Sequence, residues 1–449
     1  MFPIKVIAID NEKKELDLAV YGLSKALIPV VPILYDSIDG VSNSISEPLS
    51  GIRLVFCDLN LLDVSSASLE AKHIVGQLGE VLKSVISMNN GPYVLILWTK
   101  HVRLVKEIEH EFKSRDIKIL PPIKIASIDK TLIPFTDDDT SIDDKSVSIF
   151  SERLNEIINE DLVMKFFSLW EEYCLLAAGD ITSTFYKMAN PELSWSNEYN
   201  ESICSTLKGI AQDVVGEDNV VGREYTCITE IFSSLIQDYL YRKKNENLES
   251  SIKDIFQLAS GGNKINYQSL NTFYHIVNDV SSSSERGSFS GINDDIDKYI
   301  YFDKNDVFEQ FFKKSKYLSE NSKRENKIEI EEIRNKSIIG FIEISPSCDY
   351  AQNKTRALRY VFSVLIPYEY VRAKLISSGG EHDGIHVFPE FMVNDELYSL
   401  RSNVRYVISL PDDDNFLRAP IFRLREQILN DLIHKFSSHA SRPGIIKFS

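Results

Sequence analysis

Four apolar runs in the first third of the chain each stop abruptly at polar or charged residues, and this pattern constrains the fold more than any other feature. They are Ile7-Ala8-Ile9-Asp10-Asn11-Glu12, Leu54-Val55-Phe56-Cys57-Asp58-Leu59-Asn60-Leu61, Tyr93-Val94-Leu95-Ile96-Leu97-Trp98-Thr99-Lys100 and Ile123-Lys124-Ile125-Ala126-Ser127-Ile128-Asp129-Lys130. Runs apolar on both faces suit strands of a parallel sheet covered by helices. Leu16 to Leu27, Leu69 to Ser87 and Val102 to Phe112 read as the intervening helices, so the spacing predicts a doubly wound α/β sheet. Chemistry in such sheets gathers at the carboxyl ends of the strands. Set side by side, those ends bring Asp10, Asn11, Asp58, Thr99 and Lys130 to one crevice. The set offers carboxylates and an amide oxygen for a divalent cation, a hydroxyl, and a cation for a phosphoryl group.

The order and content of these blocks resemble the receiver domain of bacterial response regulators, over about residues 4–133. That family places an acidic pair after its first strand, a phospho-accepting Asp after its third, a Thr or Ser after its fourth and a Lys after its fifth. The resemblance implies Asp58 as phospho-acceptor, Thr99 and Lys130 as switch and catalytic groups, and Asp10, Asn11, Asp58 and Asn60 as ligands of Mg²⁺. It also implies a histidine kinase or related ATPase as partner. Three departures stand out: Asn11 replaces the second acid, Ser127 replaces an aromatic, and Thr131 follows the lysine in place of Pro. An amide is a neutral ligand, so cation affinity should fall. A pseudo-receiver that binds a partner without phosphorylation therefore stands as the alternative.

A chain of 449 residues has room for two or three domains. After a receiver-like domain at 1–134, the acidic stretch 135–147, with Asp137-Asp138-Asp139 and Asp143-Asp144, reads as a linker. Residues 148–334 carry helical spacing, beginning with Phe150, Leu154, Ile157 and Ile158, and read as an all-α interaction or dimerisation bundle. Within it, Asn266–Val280 and Asp306–Ser319 are expected helices and Ser281–Ser288 a flexible break. Residues 335–449 read as a β-rich α+β module: strands at 337–344, 359–366, 386–393 and 404–410, then an amphipathic helix over Ile421–Ser437.

A net charge of −16 argues against general nucleic-acid binding, which relies on Lys and Arg. No run reaches the eighteen or so apolar residues of a membrane span, and no signal peptide is evident at Met1-Phe2-Pro3-Ile4-Lys5. Five scattered cysteines without a CxxC pair fit a reducing compartment. A cytoplasmic bacterial protein is the expectation. The block Ser345-Pro346-Ser347-Cys348-Asp349 is similar to Ser-x-x-Cys-Asp turns in small β-barrel modules of bacterial toxin and defence proteins. Cys348 with Asp349, served by His382, His386, His434 or His439, offers a second alternative: an effector with chemistry in the last module. A buried thiol at a strand-end turn is the plainer account of that block. The Gly379–His386 loop matches no metal cage, and Ala259–Lys264 lacks P-loop spacing. By analogy alone, the unfamiliar output region suits a stress or antiviral defence system.

Overall fold

The computed structural model describes residues 5–36, 38, 40–41, 45–61, 70–114, 119–132, 144–188, 196–258, 266–293, 296–297, 299–312, 329–351, 357–370, 384–411 and 416–441, with backbone alone for 144–147, 348 and 351. Most of the expected acidic linker, the Gly261-Gly262 turn, His382 and the basic segment after Ser441 lie outside the described residues.

β1 (Val6–Asp10), β2 (Val31–Leu34), β3 (Leu54–Asp58), β4 (Val94–Thr99) and β5 (Lys124–Asp129) form a wholly parallel sheet in the order β2-β1-β3-β4-β5. This is the flavodoxin-like order, which the receiver fold shares, and its crevice opens where β1 has neighbours of opposite winding. Every residue of β1, β3 and β4 is buried, as expected of strands covered on both faces. α2 (Ala71–Val85) and α3 (Val105–Ser114) cover one face. Ile74, Leu78, Leu82 and Ile108 pack there on Ile7, Val55 and Leu95. On the other face α1 (Lys13–Lys25) sets Leu16, Ala19 and Leu23 at helical spacing against Ala8 and Phe56. Each fully buried aliphatic side chain contributes about 1.5–3 kcal/mol.

α4 (Asp144–Glu160) completes that second face. The sequence places this helix at the head of the helical domain, yet Phe150, Leu154 and Ile157 join the core under Phe56 and Trp98. Phe150 meets Phe56 and Trp98 edge-on, with ring centroids 5.8 and 6.1 Å apart. Its apolar stripe is thus the missing cover of the parallel sheet.

Helices α5 (Leu162–Met188), α6 (Asn197–Val215), α7 (Glu224–Arg242), α8 (Glu246–Leu258) and α9 (Tyr267–His275) make up the central helical region. The chain sorts into two units, Met1–Thr184 with Ser234–Gly262, and Phe185–Ser233 with Asn263–Ser449.

The second unit carries an antiparallel sheet in the order β10-β12-β9-β8-β7-β13-β6, with β11 on β12. Its strands are β6 (Ile276–Val277), β7 (Ser288–Ile292), β8 (Ile338–Glu343), β9 (Leu358–Pro367), β10 (Ile385–Val387), β11 (Phe391–Val393), β12 (Glu396–Leu410) and β13 (Leu417–Leu424). β6 and β7 come from ahead of residue 335. Four local expectations change here. The helix expected over Asn266–Val280 stops at His275, where β6 begins. Ser281–Ser288 is an ordered turn, because the Glu285 carboxylate accepts from Ser281 N, Ser281 Oγ and Ser282 N at 2.7–3.1 Å. The expected helix at Ile421–Ser437 starts only at Glu426, since Phe422 is claimed by β13 and stacks on Phe289 at 5.2 Å. The strand expected at 386–393 divides into β10 and β11 around Pro389, which has no N–H for a ladder. Of Asp306–Ser319, helix is described to Glu309 as Lys304–Glu309, and residues 313–319 lie outside the described set. At Gly340 a Cβ would stand 2.2 Å from the Ser290 carbonyl oxygen, so only glycine fits between β7 and β8.

Candidate functional site

The parallel sheet ends in an acidic crevice closed by a lysine. Asp10 is the last residue of β1, Asp58 the last of β3, Thr99 the last of β4, and Lys130 follows β5. All four are at least nine-tenths buried. The Lys130 ammonium lies 2.7 Å from Asp58 Oδ1 and 3.8 Å from Asp10 Oδ2, and it also contacts the Glu15 carboxylate. Backbone amides fix the two acids: Glu12 N–H donates to Asp10 Oδ1 at 2.8 Å, and Asn60 N–H donates to Asp58 Oδ2 at 3.2 Å. Of the five residues placed at the crevice by sequence, three meet directly. Thr99 is at the rim, but its hydroxyl accepts from His101 N–H at 2.9 Å and so braces the loop after β4. Asn11 and Asn60 are half-buried in the turns that follow Asp10 and Asp58.

Glu15 is the residue that sequence reading missed. It sits in the first turn of α1, four positions before Ala19 and seven before Gly22, both buried, so helical geometry turns it inward. That inward acid at a helix start was the available signal. Carboxylate oxygens of Asp10, Glu15 and Asp58 lie within 4.8 Å of one another. Three carboxylates converging on one point are hard oxygen donors that could hold a divalent cation.

Electrostatics follow from burial. Desolvation, then the neighbouring Asp58, pushes the Asp10 carboxyl up to about 7, with Lys130 pulling the other way. Burial also raises Asp58, while Lys130 opposes the rise. Burial works to lower the Lys130 pKa, but Asp58, Glu15 and Asp10 outweigh it and hold the ammonium charged above its usual range. Burial first, and then the neighbouring Asp58, pushes the Cys57 thiol well up. The Trp98 ring lies 6.0 Å from the Lys130 ammonium, a natural optical reporter of the crevice.

In the second unit, Asp349 lies in the short helix Ser347–Ala351, and the Cys348 side chain is outside the described residues. His386 pairs at 3.5 Å with Asp431, in the helix after β13.

No family model and no curated protein matches the sequence. Among solved structures, full-length FixJ from B. japonicum aligns over 57% of this chain and 99% of its own, at 12% identity and a TM-score of 0.20. A score that low establishes no shared architecture for the whole chain. The N-terminal fold is receiver-like in its five parallel strands, their order and the acids at their carboxyl ends. Among the described residues, no helix is long and apolar enough to cross a membrane.

Proposed function

We propose that the N-terminal domain accepts a phosphoryl group on Asp58 and thereby regulates the rest of the chain, as a bacterial signalling protein with an output region that does not read DNA. One observation carries this reading: a buried carboxylate at a β-strand end, held 2.7 Å from a buried lysine, beside two further acids. Asp10, Glu15 and Asp58 would hold Mg²⁺, with Glu15 supplying the negative charge that Asn11 lacks. The cation would neutralise the oxygens of the incoming phosphoryl group. An Asp58 oxygen attacks phosphorus of a phosphohistidine on a partner kinase. The new P–O bond forms as the P–N bond breaks, and the imidazole leaves with the electron pair and takes up a proton. Lys130 shifts from carboxylate to phosphoryl oxygen as a mobile point charge. Thr99 would then exchange the His101 amide for the new group, which moves the loop after β4.

Beryllofluoride with Mg²⁺ tests this in the intact chain. Amide exchange over 97–104 is expected to slow in the wild type and to stay unchanged in Asp58→Asn. If Mg²⁺ binds and beryllofluoride changes nothing, the domain is instead a partner-binding pseudo-receiver. A role in stress or antiviral defence belongs to this same proposal and is tested by loss of protection in cells carrying Asp58→Asn.

A further inference from the structure

At the opposite end of the parallel sheet from the crevice lies a cavity of about 270 Å³. Its floor is the first residues of three strands, Val6, Leu54 and Val94, and its roof is α5, through Met164, Ser168 and Leu175. Protein interiors are close-packed and voids larger than a water are few. An apolar cavity of 150 Å³ already suffices for benzene. This one is nearly twice as large, which suits two fused rings.

Three of the four charged residues in its lining, Lys5, Arg53 and Glu171, are spent on one another, and the fourth, Glu172, is exposed. Glu171 of α5 accepts from Arg53 Nε at 2.9 Å and contacts the Lys5 ammonium. Burial acts to raise the Glu171 pKa, but Arg53 and Lys5 outweigh it and hold the carboxyl below its usual range. The Arg53 guanidinium also donates to the carbonyls of Ile52, Asn90 and Pro92 at 2.9–3.2 Å. An anionic ligand would therefore find both lining cations already paired, would meet the exposed Glu172 carboxylate and would lose its hydration. Ser168 is the one uncharged hydroxyl in the lining. Apolar walls with a few placed polar groups are the ordinary make-up of a small-molecule site.

We infer that this cavity binds an uncharged bicyclic aromatic molecule bearing one hydrogen-bonding group, seated between the foot of the sheet and α5. The site is independent of phosphoryl chemistry at Asp58. The test uses 2-naphthol as probe and 2-naphthoate as its charged counterpart, by calorimetry on the full chain without Mg²⁺. Saturable one-to-one binding of 2-naphthol is expected, with at least tenfold weaker binding of 2-naphthoate. Leu175→Trp at the half-exposed mouth should cut 2-naphthol affinity at least tenfold, and Ser168→Ala about fivefold. Both positions face solvent on one side, so folding should persist, as checked by circular dichroism. No saturable binding, equal binding of the two probes, or full affinity in Leu175→Trp would each overturn the inference. None of these results bears on beryllofluoride binding at Asp58, so the two proposals fail separately.

Discussion

The two sheets of this protein bury acids in opposite ways. In the parallel sheet, Asp10, Glu15 and Asp58 come from separate elements and share one ammonium, Lys130. In the antiparallel sheet, Glu343 closes β8 with no solvent exposure, and among the described residues no salt bridge reaches it. Its Oε1 accepts from Ser345 N–H at 2.7 Å. The nearby Arg286 is engaged by the Ser345 carbonyl at 3.0 Å and by Glu426. Burial pushes the Glu343 carboxyl up to about 7, against the hydrogen bonds of Ser345 and Tyr350 and the charge of Arg286. Burial thus raises an acid to about 7 in each sheet, around an internal counter-ion in one and without one in the other. A buried acid cluster around a mobile ammonium is built to exchange that partner, whereas a single buried acid without one is a packing solution.

The sharpest way to break this contrast is to remove the shared cation. Lys130→Met leaves three acids facing one another, and breaking a buried pair from one side costs about 3–5 kcal/mol. A loss near that size is expected in urea denaturation at pH 8. It should shrink at pH 5, where protons can replace the ammonium. A variant as stable as wild type at pH 8 would show that Lys130 is no counter-ion.

The converse experiment is Glu343→Gln. A folded pKa raised from 4.5 to about 7 means that the folded state holds a proton which the unfolded state releases. The associated stability is fully present below pH 4.5 and is lost as pH rises through 7. Its upper bound is roughly 3 kcal/mol, at about 1.4 kcal/mol per pKa unit. The wild-type antiparallel unit should therefore unfold more easily at pH 8 than at pH 5, and Glu343→Gln should flatten that slope. A slope unchanged in the variant would place the titrating group elsewhere.

How far the sequence disclosed each half follows the same division. Parallel strands buried on both faces read as unbroken apolar runs, so Asp10, Asp58, Thr99 and Lys130 stood out as the points where the runs ended. Glu15 stayed hidden because a charged residue in a helix's first turn is ordinarily read as a solvated favourable end charge. The position of α4 was hidden too, since an amphipathic stripe shows which face is buried but not what covers it. In the antiparallel half, pairing depends on partners distant in sequence. β7 and β13 are claimed by each other across more than a hundred residues, which local periodicity at Ser288 or Ile421 cannot register.

The smallest expected effect concerns Thr99, where the two accounts of the crevice divide most finely. Its hydroxyl holds the His101 amide in the absence of a phosphoryl group. Thr99→Ala leaves that half-buried amide without its acceptor and should cost about 1 kcal/mol, while Thr99→Ser should cost less because the oxygen survives. Stability alone would make Thr99 a loop brace and nothing more. A switch residue must also change what Asp58 does to the chain. In Thr99→Ala, beryllofluoride should still bind but should no longer slow amide exchange over 97–104, and Thr99→Ser should restore the response. If Thr99→Ala loses its 1 kcal/mol and keeps the full response, the hydroxyl is structural, and any output from Asp58 must travel through Lys130 and Trp98 instead.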